Sequence, residues 1–398
     1  MKQIAPAPDL LSSIRRDMCS PEKCREHRHR RIEMRRLKYH RQPYNAGPAA
    51  VEQPLPIPVV WNPMPEFGCF SIPGYFGTMV DTWFVKDNFC QPDLFGASPL
   101  HFFAVYDGHG GSLVSNLCKE KMHIIMGEEL ARVYVSNNAA RGDGSNPSSS
   151  SAQENQRQSK SGWEDLLRAG VEESFQRMDQ VAIGICDKCG KAGYACGCQP
   201  LHLGFVGSTA VVALLTPDHT VVANCGSSRA VLCSAGRAIP LSVDHKLGRP
   251  DEMERISAAG GKILCNNGVR VYGIHNLSRS LGDSFLKKLI TSQPETTITK
   301  RVAEDEFLIL ANDGIWNVMS DDFACQVVIS CLHREDSPVT ALEDHYHWAD
   351  PVNSINLDEI VLQSKTKVAA AVLCRMAIAR GSRDNISAIV VDLRRNPT

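Results

Sequence analysis

No run of apolar residues in this 398-residue chain approaches the ~18 that would cross a bilayer, and the N-terminus lacks the uninterrupted apolar stretch of a secretory signal. A surplus of either charge is missing too. The 43 Lys and Arg are balanced by 44 Asp and Glu, for a net charge of −1, which excludes a general attraction to nucleic acid or to a membrane surface. There is no sign of a disulfide framework. The 15 cysteines are odd in number, and Cys225, Cys233, Cys331 and Cys374 sit inside apolar runs, so they read as buried thiols in a reducing compartment. With 43% hydrophobic residues the expectation is a soluble intracellular protein with ample core, arranged as two or three domains or as one large sheet-based domain.

Residues 1–64 read as a tail, denied regular structure by Pro6, Pro8, Pro43, Pro48, Pro54, Pro56, Pro58 and Pro63. Within it Lys23 to Arg41 is strongly basic, either a nuclear address or docking arm, or a short solvated helix packed through Ile32, Met34 and Leu37. The globular part is expected over 65–394, with a low-complexity surface loop at 139–162 and a polar, acidic insertion at 333–366. Cys186, Cys189, Cys196 and Cys198 could hold zinc tetrahedrally or remain free thiols in a glycine-rich loop.

The segment from His101 to Gly111 organises the rest. Phe102, Phe103, Ala104, Val105 and Tyr106 predict a strand that delivers Asp107 to its end, followed by a glycine-rich turn and a helix from Ser112. A carboxylate beside such a turn can hold a hard cation, or can simply cap the helix. Val206 to Leu215 reads as one continuous buried strand. His219 to Asn224 and Arg229 to Cys233 look like a hairpin about Gly226-Ser227, and Val269 to Ile274 looks extended. Helices are expected over Trp163 to Met178, Pro250 to Ala259, Asp321 to Leu332 and Val368 to Arg380, with strands over Glu306 to Ala311 and Ile386 to Leu393. Strands and helices come in groups, which argues for an α+β sandwich over a parallel doubly wound sheet.

Four aspartates share one context. Asp81, Asp107, Asp313 and Asp384 each sit just before or after an apolar strand-like run, and Gly follows both Asp107 and Asp313. If those strand ends meet, they form an all-oxygen cluster suited to Mg2+ or Mn2+ rather than Zn2+ or Cu2+, and their repulsion demands a cation. Two hard cations sharing a carboxylate would activate water and clamp a phosphoryl oxygen. The alternative is that these are acidic turn residues that never converge.

Several stretches together resemble the metal-dependent serine/threonine protein phosphatases of the type 2C family. They are Phe-Phe-Ala-Val-Tyr-Asp-Gly-His-Gly-Gly (102–111), Val-Gly-Ser-Thr-Ala-Val-Val (206–212), Asn-Cys-Gly-Ser-Ser-Arg-Ala-Val (224–231), Leu-Ser-Val-Asp-His-Lys (241–246), Leu-Ser-Arg-Ser-Leu-Gly-Asp (277–283), Leu-Ile-Leu-Ala-Asn-Asp-Gly-Ile-Trp (308–316) and Ser-Arg-Asp-Asn-Ile-Ser (382–387). They stand in family order and span 67–394. The basic arm and the Cys-rich loop are most similar to the plant group linked to abscisic acid signalling. The resemblance implies a central antiparallel β-sandwich flanked by helices on both faces, a four-layer αββα arrangement, with two Mg2+ or Mn2+ ions at one edge. It implies that Asp107 bridges both ions, Gly108 offers a carbonyl, Asp313 and Asp384 complete the ligands, and Asp81 holds a metal-bound water. His109 matches the proton donor to the leaving alkoxide. Phosphorylated proteins, protein kinases among them, are the implied substrates of a monomer in nucleus and/or cytoplasm that binds neither nucleic acid nor membrane.

The departures from the family pattern are specific. Phe76 stands where an arginine grips the substrate phosphate, and Val80 where a glutamate orients metal waters. Ser227 and Asn317 replace aspartates of a third, weaker metal site. Leu247 and Gly248 replace Pro-Asp, His275-Asn276 stand where small or apolar residues are usual, and Asn266 replaces the tryptophan that hormone receptors engage. A lost charge-assisted hydrogen bond costs about 1.5–3 kcal/mol, and a lost partner of a metal ligand ~10–100-fold, together on the order of 10²- to 10⁴-fold. The rate enhancement available for phosphate monoesters reaches ~10²¹-fold, so a weakened phosphatase is the expectation. The alternative is a pseudophosphatase that sequesters a signalling kinase.

Overall fold

The computed structural model describes residues 64–75, 77–90, 99–142, 152–184, 205–265, 268–333 and 364–394. The chain divides into two units, Met1–Pro58 and Val59–Thr398. The basic arm, Phe76, the Cys186–Cys198 quartet, Asn266 and most of the acidic insertion lie outside the described residues.

In chain order the elements are β1 (Phe67–Ile72), β2 (Thr82–Lys86), β3 (His101–Tyr106), β4 (Gly108–His109), α1 (Leu113–Gly142), α2 (Ala152–Ile183), β5 (Gly207–Ser208), β6 (Ala210–Leu215), β7 (His219–Cys225), β8 (Arg229–Ser234), β9 (Arg237–Pro240), α3 (Pro250–Ala258), β10 (Ile263–Leu264), β11 (Arg270–Val271), β12 (Leu281–Gly282), β13 (Glu295–Lys300), β14 (Asp305–Ala311), α4 (Asp313–Trp316), α5 (Asp321–His333), α6 (Lys365–Ala379) and β15 (Ile386–Asp392). Two five-stranded antiparallel sheets, ordered β1-β15-β14-β8-β9 and β13-β7-β6-β3-β2, form the sandwich.

Side-chain alternation explains why the central strands read as unbroken apolar runs. In β3, Phe103 and Val105 point between the sheets, while Phe102, Ala104 and Tyr106 pack under α1 and α2. In β14, Leu308 and Leu310 join the inter-sheet core, while Phe307, Ile309 and Ala311 meet α5 and α6. Both faces of both sheets are covered, so neither face of a central strand is polar. The α+β expectation, with helices on both outer faces, holds.

Local signals set several helix ends. Ser364 caps α6, its side chain accepting from the Lys367 amide. Pro250 opens α3 with Asp251 and Glu252 in its first turn. The eight buried cysteines among the nine described, including Cys225, Cys233, Cys331 and Cys374, are free thiols as expected.

Other expectations need correction. β7 and β8 do not form a hairpin. β7 pairs with β6 and β13, β8 with β14 and β9, so the chain changes sheets between Cys225 and Arg229. The loop expected at 139–162 is helical wherever it is described, since α1 runs to Gly142 and α2 starts at Ala152. Long polar helices without Pro need no apolar stripe over their outer turns, so composition alone mimicked a loop. The strand expected from Val206 to Leu215 breaks at Thr209, whose amide donates to the Asp107 carbonyl (2.8 Å) rather than extending the ladder. Of Val269 to Ile274 only Arg270–Val271 is strand, because Tyr272 turns into the left-handed region at φ 52°. Of 333–366, His333 ends α5 and Lys365 and Thr366 begin α6.

Candidate active site

Strand pairing gathers the four aspartates as two pairs, one on each sheet. Asp81 precedes β2 and Asp107 follows β3; these strands are antiparallel, with Thr82 opposite Tyr106, so both carboxylates leave the same end of one sheet. Asp384 precedes β15, and Asp313 follows β14 after one residue, with Ala311 opposite Ala388, so this pair leaves one end of the other sheet. Gly314 permits the close approach of these two segments, since a Cβ there would collide with the Asn385 carbonyl.

An amide and hydroxyl network fixes the floor of the cluster. Asn312 donates from Nδ2 to Asp81 Oδ2 (3.0 Å) and to the Asn385 carbonyl (2.8 Å), and its Oδ1 accepts from the Ser387 amide (3.0 Å). Ser387 Oγ donates to the same Asp81 oxygen (3.0 Å). Asn385 Oδ1 accepts from the Val80 amide (2.7 Å), and its own amide donates to Asp384 Oδ1 (2.8 Å). Asp81 is buried, Asp107 and Asp313 are half-buried, and Asp384 is exposed, so the cluster opens to solvent along one side.

The carboxylates act on one another. Burial, then the charges of Asp384 and Asp313, push Asp81 up to about 7 against the pull of Ser387 and Asp107. Loss of solvation, then Asp81, Asp313 and Asp384, holds Asp107 well above the carboxylate range. Asp313 is raised by burial and by Asp384, with Lys246 opposing. Asp81 Oδ1 and Asp313 Oδ1 are buried without a hydrogen-bond partner. An all-oxygen set with orphaned lone pairs, repelling as it ionises, fits hard divalent cations.

His109 sits beside this cluster. The small sheet β12-β5-β4 sets His109 opposite Gly207 and Gly207 opposite Gly282, so Asp283 arrives at the imidazole. His109 Nε2 and Asp283 Oδ2 are 2.7 Å apart. Gly207 between them has to lack a side chain, since its Cβ would strike both groups. Ser280 Oγ donates to the same Asp283 oxygen. Burial pushes the Asp283 carboxyl up, but the His109 hydrogen bond and charge, with His275 and Ser280, outweigh it and hold the carboxyl below its ordinary value. His275 Nε2 lies 3.6 Å from Asp283 Oδ2, and burial drops this imidazole to about 4, so it is neutral near pH 7.

Comparison with known proteins decides the family. The family profile described as "Protein phosphatase 2C" matches residues 66–386. The chain belongs to the protein phosphatase 2C family. It is 38% identical to "Probable protein phosphatase 2C 75" of Arabidopsis thaliana over 96% of this chain and 97% of that protein. It is 38% identical to "Probable protein phosphatase 2C 49" of Oryza sativa subsp. japonica over 83% and 78%. Among solved structures, the serine-threonine phosphatase 2C of Toxoplasma gondii superposes with a TM-score of 0.57 at 21% identity, covering 85% of this chain and 98% of that one, a likeness of fold. Members of the family are metal-dependent serine/threonine phosphatases, so this chain is an enzyme of that class.

Within this phosphatase domain the carboxyls of Asp81, Asp107, Asp313 and Asp384 act on one another, and Gly108 lies in β4 directly after Asp107. Sequence reasoning passed over Asn312, Asn385, Ser387 and Asp283. All four lie inside the matched stretches; Asn312 and Asn385 each adjoin a predicted ligand and Asp283 follows Gly282, and that adjacency was the available signal. The departures have structural partners too. Leu247 fills a small apolar cluster with Ile256, Val271, Leu286, Leu289 and Ile290. Asn317 Oδ1 accepts from Lys246 Nζ (2.9 Å), and Val80 offers only its backbone, its carbonyl accepting from Ser115 Oγ (2.5 Å).

Proposed function

We propose that the chain hydrolyses phosphoserine and phosphothreonine in proteins, using two Mg2+ or Mn2+ ions that Asp107, the Gly108 carbonyl, Asp313 and Asp384 would hold together with Asp81. The observation that carries this reading is the arrival of these aspartates at paired strand ends, with Asn312 tied to Asp81 and with Asp81 Oδ1 and Asp313 Oδ1 buried without a hydrogen-bond partner. Bound there, the cations supply charge neutralisation and activation of water at phosphorus. The protein residues supply the rest. Asn312 and Ser387 hold Asp81 in place. Asp283 engages His109 Nε2 and leaves Nδ1 to give its proton to the departing serine or threonine oxygen. Val80 brings no carboxylate to the cations' outer shell, so turnover is attenuated relative to relatives with glutamate there.

The intended substrates are phosphorylated proteins, with protein kinases of the abscisic acid pathway the expected group, and the site of action nucleus and/or cytoplasm. A pseudophosphatase that sequesters a kinase is the second reading, favoured by Val80. The deciding experiment is Mn2+-dependent phosphate release from a phosphothreonine peptide, with Asp107→Ala as control. The proposal requires release that the variant lacks; equal release from both rejects it. Kinase capture without any release supports the second reading.

A further inference from the structure

Beside the acidic cluster lies a group of different chemistry. One ligand atom from each of His109, His275 and Asp283 lies within 4.8 Å of the other two. The imidazole rings are 4.9 Å apart and tilted by 57°, so they do not stack face to face. Two polar atoms of this group are buried with no hydrogen-bond partner, His275 Nε2 and Asp283 Oδ1. His275 is 6% exposed and Asp283 fully buried, so neither atom has water to replace a partner. An unpaired buried polar atom costs about 1–3 kcal/mol, and the fold leaves two of them in this one group.

We propose that His109, His275 and Asp283 form a second cation site, selective for a borderline divalent ion of the Zn2+ type. Two imidazoles and one carboxylate are the donors such an ion takes, with water completing a tetrahedron, whereas Mg2+ and Mn2+ prefer the all-oxygen cluster. Bonds of about 2.0–2.2 Å to a tetrahedral ion place ligand atoms roughly 3.3–3.6 Å apart. The His275–Asp283 separation of 3.6 Å already meets that span, and the 2.7 Å His109–Asp283 contact has to open by less than about 1 Å. The frame is held. The Asp283 amide donates to the Val206 carbonyl (3.0 Å), and the His275 carbonyl accepts from the Val271 amide (2.8 Å). Entry is from the His109 side, whose side chain is 26% exposed.

Occupancy has a functional consequence, which rests on the role proposed above for His109. A cation on Nε2 displaces the Asp283 contact that orients the imidazole, so His109 no longer serves as proton donor. The Zn2+-loaded protein is an inhibited state even with the acidic cluster filled.

The test uses the full chain in saturating Mg2+, titrated with Co2+ and followed by its visible absorption, which is intense only for low-coordinate, nitrogen-ligated ions. The expected result is one absorbing Co2+ per chain, displaced by Zn2+. His275→Leu weakens it at least about 100-fold while still binding Mn2+ at the acidic cluster, and His275→Cys, which keeps a ligand, restores it. Asp313→Asn retains the band. An unchanged band in His275→Leu, or no band in the unmutated protein, overturns the proposal. Failure of Mn2+ binding beside an intact His275-dependent band would sink the dinuclear reading and leave this site standing.

Discussion

His109 Nε2 and Asp283 Oδ2 meet at 2.7 Å although 174 positions separate them in the chain. The contact is made by the three-stranded sheet β12-β5-β4, in which Gly207 is the spacer. Asp283 therefore positions the imidazole. Asp283→Asn is expected to slow release from a phosphothreonine peptide by about 10²–10⁴-fold. With 4-nitrophenyl phosphate, whose leaving group needs little protonation, the loss is expected to be much smaller. Equal losses on both substrates would contradict the assignment.

The cations and protons compete for the same oxygens. Asp81 in the folded protein is raised from 3.8 to about 7, so below that value it carries a proton that a cation has to expel. The sign follows: Mn2+ affinity rises with pH and, per displaced proton, falls by about tenfold for each unit below ~7. Calorimetry in buffers of differing ionisation enthalpy should register more proton release at pH 6 than at pH 8.5. No proton release at pH 6 would contradict the elevation of Asp81.

Asn312 is the hub of the floor, joining Asp81, Asn385 and Ser387. Asn312→Ala leaves the Ser387 amide and the Asn385 carbonyl without these partners in a buried setting. The expected loss is about 1–3 kcal/mol by urea denaturation, accompanied by weaker Mn2+ binding.

Val80 is expected to limit the rate. Its amide and carbonyl are engaged by Asn385 and Ser115, which leaves a half-buried apolar side chain at the cluster. Val80→Glu, alone or with Phe76→Arg, should raise Mn2+-dependent peptide turnover by ~10–100-fold per restored group. No gain from the double variant in the presence of bound Mn2+ would show that neither departure restrains the enzyme.

Much of the site was legible because strand ends are legible. Asp107 and Asp313 each close an apolar run, and antiparallel pairing inside each sheet then brings Asp81 to Asp107 and Asp384 to Asp313. Partner choice was not legible for β7 and β8. Both strands are buried on both faces, so their sequences carry no alternation that says which sheet they join, and glycine at 226 looked like a hairpin turn when it serves a change of sheet. Asp283 escaped notice, and His275 stood out only as a departure from the family pattern, for a related reason. Their meaning depends on His109, and no local pattern encodes a contact made across three short strands.

The most direct measurement is a calorimetric Mn2+ titration of the unmutated protein beside Asp107→Asn and Asp313→Asn. The account predicts two ions per chain in the first, and in each variant the loss of at least one ion or a weakening of about 100-fold or more. Binding unaltered by either substitution, or no Mn2+ bound by the unmutated chain at pH 8, would contradict it.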